Sequence, residues 1–361
     1  MVVSGFIERV LMESHANINA TEIPRRYSRQ VLFRGIGAAG QSAMSASRVV
    51  LVGCGALGTF QASLLVRAGV GTLRVIDRDF VEESNLQRQI LFDEQDVRDL
   101  MPKAVAAERK LRQTNSLVQV EGVVEDVNPS TVHRLLEGFD LILDATDNFD
   151  VRFLINDYAV KHGIPWVYGA CVGSEGLTFA ILPGETPCLR CVFESAPPAG
   201  LSPTCDTAGV IGPVVGAVAS LQVAEAMKIL SGHRELVNRR ITRMELWENR
   251  LDMVDLPPRD DACPCCGRHE FSYLDGDQGS DATSLCGRNS IQINRRDGTQ
   301  LDLSALASRL APLAKLEGNR FLLKIAIDGY QLTVFPDGRA VVSGTTDPGV
   351  AKSLYARYVG V

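Results

Sequence analysis

The chain has 361 residues, room for one large α/β domain and a smaller one. Hydrophobic residues make up 45% and charged residues 22%, an ordinary globular balance, and the net charge of −6 argues against a nucleic-acid partner, which needs a basic face. No apolar run reaches the roughly 18–20 residues that span a bilayer. Glu8 and Arg9 interrupt the N-terminus where a signal peptide needs an unbroken apolar core, so a cytoplasmic protein is expected. In that compartment nine cysteines point to metal or thiol chemistry rather than to disulfides.

In chain order, residues 1–24 form an N-terminal extension ending at Pro24. Arg48–Gly53 (RVVLVG) is a short β-branched run, as in a strand buried on both faces. A helix over Leu57–Ala68, a strand over Thr72–Asp77, a helix near Lys103–Gln113, a strand near Val118–Val124, a helix near Ser130–Glu137 and a strand over Phe139–Thr146 follow. This alternation predicts an α/β fold: a Rossmann-like, mostly parallel sheet with helices on both faces. After Gly176 the pattern changes to an antiparallel strand at Leu177–Pro183, a long helix at Gly212–Leu230 and a strand at Arg240–Glu248. The main domain is expected over 25–270. Residues 271–282 (FSYLDGDQGSDA) read as a linker, and 283–361 as a small α+β C-terminal domain. The expected order there is strand, strand, helix, three strands, helix, with strands at Ser290–Ile293, Phe321–Ile327 and Tyr330–Pro336. Helices are expected at Ala305–Leu313 and Gly349–Tyr358, and hairpin turns at Asp328-Gly329 and Asp337-Gly338.

Gly53-Cys54-Gly55-Ala56-Leu57-Gly58 fits GxGxxG between a strand and a helix. The glycines allow a tight turn and bring a phosphate to the helix N-terminus, where free N–H groups and the dipole favour anions. Asp77 ends the next strand, where a carboxylate accepts from ribose hydroxyls. The polar loop Asp77–Gln89, Lys103 at the start of a helix and Asp144–Asn148 collect cations, carboxylates and amides at the C-terminal edge of the sheet. Hydride transfer would not need them. Phosphoryl chemistry with Mg²⁺ would, since cations spread polyphosphate charge and a carboxylate holds the metal. Taken singly, Arg88 or Lys103 reads as a solvated surface charge.

Cys188-Leu-Arg-Cys191 and Cys263-Pro-Cys-Cys266 are two CxxC pairs, and four thiolates complete a closed, structural Zn²⁺ site. Cys265 is left over. Cys54 and Cys171 read as packing residues, and Cys286 as a small buried hydrophobe or a reactive thiol. Cys205 follows a Pro-rich loop over Ser195–Pro203.

With these residues in place, RYSRQ (Arg26–Gln30), LVGCGALG, IDRDFVEESNLQRQ, LDATDN and AGVIGPVVGAVASLQVAEAMK resemble, in order, the motifs of the MoeB/ThiF/HesA adenylyltransferases of the ubiquitin-activating superfamily. The resemblance covers roughly residues 25–267 and is specific, because five unrelated motifs occur in series. It implies ATP-dependent adenylation of the C-terminal carboxylate of a small ubiquitin-like or sulfur-carrier protein ending in Gly-Gly. Pyrophosphate is released, and the acyl-adenylate serves later sulfur transfer or conjugation. By this resemblance Asp77 holds the ribose, Asp79, Asn85 and Arg88 face the phosphates, Lys103 contacts the polyphosphate and Asp147 holds Mg²⁺. Arg29 reaches into the ATP site of the partner in a homodimer. Cys205 matches the cysteine that some relatives use covalently, with a bystander thiol as the alternative. A sulfur donor or downstream transferase is a further implied partner. Competing functions are an adenylyltransferase or dehydratase acting on a non-protein substrate such as tRNA, a non-catalytic subunit that binds the small protein, and an NAD dehydrogenase. The resemblance does not extend to the C-terminal unit, which reads as a docking module for the small protein or a downstream partner, or as a dimer-stabilising or purely structural appendage.

Overall fold

A computed structural model describes residues 23–195, 205–276, 282–285, 290–293 and 300–360. The expected N-terminal extension and Cys286 lie outside the described residues, apart from Ile23 and Pro24. The main sheet has eight strands: β1 (Arg48–Val52), β2 (Thr72–Ile76), β3 (Gln119–Val123), β4 (Leu141–Asp144), β5 (Trp166–Val172), β6 (Glu175–Ile181), β7 (Arg240–Glu245) and β8 (Arg250–Asp255). Their order is β3-β2-β1-β4-β5-β6-β7-β8. Pairings from β3 to β5 are parallel and those from β5 to β8 antiparallel.

The reason for the apolar run in β1 is visible in its packing. Val49 and Leu51 enter one core with Leu65, Leu73, Leu111 and Val223, whereas Val50 and Val52 enter another with Ile76, Phe153, Trp166 and Tyr168. A strand covered on both faces has no polar side to show. The covering helices include α1 (Gly37–Ala46), α2 (Ala56–Ala68), α3 (Lys103–Thr114), α4 (Phe149–His162) and α5 (Gly212–Leu230). α4, β5 and β8 were not expected from the sequence. α5 is long enough and on average apolar enough to qualify as a membrane span, yet Gln222, Glu225 and Lys228 break its apolar run. It is a core helix: Val214, Val215, Val218, Gln222, Val223 and Ala226 are buried.

The C-terminal unit is a six-stranded antiparallel sheet ordered β11-β12-β13-β14-β10-β9. Its strands are β9 (Ala282–Leu285), β10 (Ser290–Ile293), β11 (Lys315–Gly318), β12 (Leu323–Ile327), β13 (Tyr330–Val334) and β14 (Ala340–Ser343). Helices α6 (Leu303–Leu310) and α7 (Pro348–Tyr358) cover it, and Leu306, Leu310, Ile325, Leu332, Val342, Leu354 and Tyr358 make its core. Asp328-Gly329 turns β12 into β13 with φ of 53° and 80°, the left-handed pair that a two-residue hairpin requires. β11 adds a fourth strand after the helix where three were expected; its residues are almost all exposed, so no apolar alternation marks it. The linker expected over 271–282 is also shorter at both ends. Leu274 is buried in the main core with Phe271 and Tyr273 packed beside it, and β9 begins at Ala282.

Candidate active site

Beyond β1 the chain turns at Gly53, whose φ of 93° and closeness to the Ala145 carbonyl, 2.6 Å from where a Cβ would lie, exclude a side chain. Gly58 is equally constrained, since a Cβ there would lie 2.3 Å from the Gly53 oxygen. Gly55 differs. Around its Cβ position the nearest atom is the Gln89 amide nitrogen at 3.9 Å, so the protein leaves open space at the N-terminus of α2. That helix has no side-chain cap and no acid in its first turn. Free N–H groups facing open space are what a phosphate needs.

Asp77 stands directly after β2. One carboxylate oxygen accepts from the Cys54 N–H at 2.6 Å and the other from the Asp79 N–H at 2.7 Å. It ties the glycine turn to the next strand end, and a carboxylate still has lone pairs for further donors. Burial pushes its pKa up from the usual carboxylate range, while the Lys103 ammonium opposes the rise. Lys103 opens α3; it is buried, with Nζ 3.4 Å from Asp79 Oδ2 and its N–H donating to the Asp79 carbonyl. Asn85 is buried in a short turn, where its side-chain oxygen accepts from the Glu82 N–H. Arg88 is half-buried, donating from Nη1 to the Ser84 carbonyl at 2.7 Å.

Asp147 is exposed just beyond β4. β1 has β2 on one side and β4 on the other, and the chain reverses its direction of travel across the sheet there. Gly53–Gly58, Asp77, Asp79, Lys103 and Asp147 therefore converge at the switch point, the place where open α/β sheets bind ligands. Two ion pairs beneath them were not anticipated, one fully buried and one half-buried. Arg152 on α4 donates from Nε to Asp144 at 3.1 Å and from Nη2 to the Gly169 carbonyl at 3.1 Å, fixing the end of β4. Burial pushes the Asp144 carboxyl up, and the Arg152 charge opposes that rise. Arg78 pairs with Asp126 at 2.7 Å, joining the ends of β2 and β3. Each arginine reads in the sequence as an ordinary surface charge; only the fold brings it to its carboxylate.

The RYSRQ segment divides its labour. Tyr27 is buried, its hydroxyl accepting from Asn115 at 2.8 Å, and Gln30 donates to Gln41 at 2.6 Å and to the Ala68 carbonyl at 2.9 Å. Arg29 between them is exposed.

Sγ atoms of Cys188, Cys191, Cys263 and Cys266 all lie within 4.8 Å of one another. The Cys188–Cys263 and Cys191–Cys266 separations are 3.7 and 3.4 Å, close to the roughly 3.8 Å edge of a tetrahedron with metal–sulfur bonds near 2.3 Å. The four thiols fit a closed metal site. Cys265 is buried against the same cluster without being one of the four, accepting at Sγ from the buried Asn156 amide, whose oxygen accepts from the Leu189 N–H. Cys54 is fully buried and Cys171 packs beside the α5 core, as expected of packing residues. Cys205 begins a short helix ending at Ala208; the loop before it, over 196–204, lies outside the described residues.

Comparison with known proteins accords with this arrangement. The model of the ThiF family matches residues 27–265. The chain is 46% identical over 337 residues to the sulfur carrier protein ThiS adenylyltransferase of Bacillus subtilis, covering 93% of this chain and 99% of that protein. A match of that extent runs through the C-terminal unit, which the motifs alone had left unassigned. The SAMP-activating enzyme E1 of Haloferax volcanii is 40% identical over 251 residues, covering 70% of this chain and 91% of that one. Among solved structures, E. coli MccB superposes with a TM-score of 0.61 at 25% identity, over 69% of this chain and 74% of that one. The motif series, the sheet order and these matches agree: the chain belongs to the ThiF family.

Proposed function

We propose that this protein is an adenylyltransferase that uses ATP to activate the C-terminal carboxylate of a small ubiquitin-like sulfur-carrier protein. The observation that carries the reading is the uncapped N-terminus of α2 opening on the crevice that Asp77, Lys103 and Asp147 share. Kinship to the ThiS adenylyltransferase supplies the substrate class.

The carrier's C-terminal carboxylate is ionised at neutral pH, so no general base is needed to attack the α-phosphate. The protein's task is to bring two anions together and stabilise departing pyrophosphate. In this reading the α2 N–H groups with Gly53, Gly55 and Gly58 cradle phosphate, and Asp77 receives the ribose hydroxyls. Asp79, Asn85, Arg88 and Lys103 lie along the polyphosphate, and Asp147 would hold Mg²⁺, which offsets phosphate charge. The cysteine set would hold one Zn²⁺ with no open position, a structural ion. Arg29, exposed beside Leu32 and Phe33 that are 67% and 64% exposed, would enter the site of a second copy in a homodimer. Leu251, Met253 and Val254 stay exposed on β8 at the open sheet edge, an apolar surface suited to the carrier protein. The Cys205 thiolate would attack the acyl-adenylate carbonyl, forming a thioester with the carrier as AMP leaves. We place the protein in the cytoplasm, where its thiols stay reduced.

The test is ATP–pyrophosphate exchange with a carrier protein ending in Gly-Gly. Exchange should require the carrier's free carboxylate. Asp147→Ala should abolish it, and Arg88→Ala should cost about 3–4 kcal/mol of transition-state stabilisation. Full exchange by Asp147→Ala would refute the reading. Mixing Arg29→Ala with Asp147→Ala chains should restore part of the activity, because one hybrid site keeps both residues; no recovery in a confirmed mixed dimer would remove Arg29 from the partner's site.

A further inference from the structure

The loop between β2 and α3 holds Asp79 and ends at Lys103, and its two legs are joined. Phe80 and Pro102 form an isolated antiparallel bridge, the Val81 N–H donates to the Met101 carbonyl at 2.9 Å, and Lys103 N–H donates to the Asp79 carbonyl at 2.9 Å. The C-terminal unit holds both legs from outside. On the outgoing leg, Arg339 Nη2 donates to the Arg78 carbonyl at 2.7 Å, and the Lys324 ammonium lies 4.6 Å above the Phe80 ring. On the returning leg, Asn319 Nδ2 donates to the Asp99 and Leu100 carbonyls at 2.8 and 3.1 Å. Leu100, itself at φ 50°, is buried with Leu322 and Phe335, and Phe80 and Val341 pack around them.

Arg339 is the costly member of this contact. It follows the Asp337-Gly338 turn between β13 and β14, a position where a charge ordinarily faces solvent, yet it is 3% exposed. Its guanidinium lies 3.7 Å over the Phe335 ring. Nε and Nη1 are buried without a hydrogen-bond partner among the described residues, with the Asp337 carboxylate 3.8 Å from Nε. Burial lowers its pKa; Asp337 opposes this, Arg78 adds to it, and Asp79 and Asp126 oppose it. A buried, under-satisfied guanidinium is a poor way to stabilise a fold, and an apolar side chain of similar volume does so as well or better. Its one strong hydrogen bond goes to the residue immediately before Asp79.

We propose that Arg339 is a positioning residue of the nucleotide site, and that the β13–β14 hairpin with Asn319 forms a brace that fixes the Asp79–Lys103 loop from behind. This rests on the reading of that loop as the ATP site. The C-terminal unit thereby acts on nucleotide binding rather than serving only as a carrier-docking module.

The test compares full-length wild type, Arg339→Met and Asn319→Ala, with Leu306→Ala as a control that loosens the C-terminal core without touching the loop. Affinity for a non-hydrolysable ATP analogue with Mg²⁺ is measured by calorimetry, melting by circular dichroism, and amide hydrogen exchange at Val81 and Lys103. Arg339→Met should weaken the analogue about tenfold, the equivalent of one lost hydrogen bond to a charged group, leave melting unchanged or raised, and speed exchange at both amides. Asn319→Ala should do the same more mildly, and carries the test if Arg339→Met does not fold. Leu306→Ala should lower melting with affinity intact. Unchanged affinity and exchange in folded Arg339→Met or Asn319→Ala would overturn the brace. Wild-type protein that binds no ATP analogue, yet shows faster loop exchange in the variants, would sink the nucleotide reading and leave the brace standing as a structural contact.

Discussion

The two sheets of this protein solve different problems. In the main sheet parallel strands point their C-terminal ends at one crevice, and the side chains placed there carry charge: Asp77, Asp79, Lys103, Asp144 and Asp147. In the C-terminal sheet the strands are antiparallel, the core is aliphatic and aromatic, and the charged side chain it buries, Arg339, is turned to the other sheet's loop. The contrast teaches where stability and chemistry are separable. The main sheet buries polar groups at the site and needs them paired; the second meets the loop through Arg339 and Asn319, and packing losses elsewhere in its core should leave the crevice intact.

Four substitutions sharpen or break that contrast. The largest effect is expected at Arg152, which pairs with the fully buried Asp144. Arg152→Ala leaves that carboxylate unpaired and should cost about 3–5 kcal/mol; urea unfolding with a change under about 1 kcal/mol would show that the pair is dispensable, against the magnitude expected for a broken buried pair. Cys188→Ser should come next. If the cluster holds Zn²⁺, the substitution should abolish that binding, measured by elemental analysis against wild type, and lower the melting temperature while any remaining folded protein keeps pyrophosphate exchange. Unchanged melting with no metal would make the cysteine cluster irrelevant to the fold. In the second sheet, Leu306→Ala should cost about 2–4 kcal/mol through cavity formation, felt by the C-terminal unit alone. Loss of exchange activity at a temperature where that variant is folded would break the separation. The smallest effect is expected for Tyr355→Phe, which deletes the donor to the Gly338 carbonyl at 2.6 Å and should cost about 1–2 kcal/mol.

Much of the main sheet was readable because its signals are local. Val49–Val52 of β1 and Leu141–Leu143 of β4 are apolar runs with no polar side, and Gly53 and Gly58 are demanded by backbone contacts that the motif anticipates. The cysteine pairs were legible from spacing, and the four that converge are the four expected. Helix α4 escaped because Arg152, Asn156 and Asp157 are polar residues on buried positions, so the apolar period that marks a surface helix is missing. β8 escaped because every residue in it is exposed. Long-range pairing was invisible for a different reason. Arg152–Asp144 and Arg78–Asp126 exist only once the strand ends meet, and Arg339 sits in an Asp-Gly-Arg turn that reads as solvated. The Leu100, Leu322 and Phe335 contact that joins the C-terminal unit to the main domain is invisible in the sequence for the same reason.

The cysteine cluster also bears on how the chain folds. Cys188 meets Cys263 across 75 residues, and that span contains α5, β7 and β8, the whole antiparallel extension beyond β6. A metal ion held by all four thiols would act as a cross-link. By the entropy of closing a loop of this size it would withdraw about 4 kcal/mol of freedom from the unfolded chain. The second cysteine pair leaves the ribosome late, after every strand of the main sheet has been made. With such a cross-link the extension would close only after the second cysteine pair is made, and scarcity of metal would be felt first as a nascent-chain defect, as protease-sensitive protein around β7 and β8, before it was felt as lost catalysis.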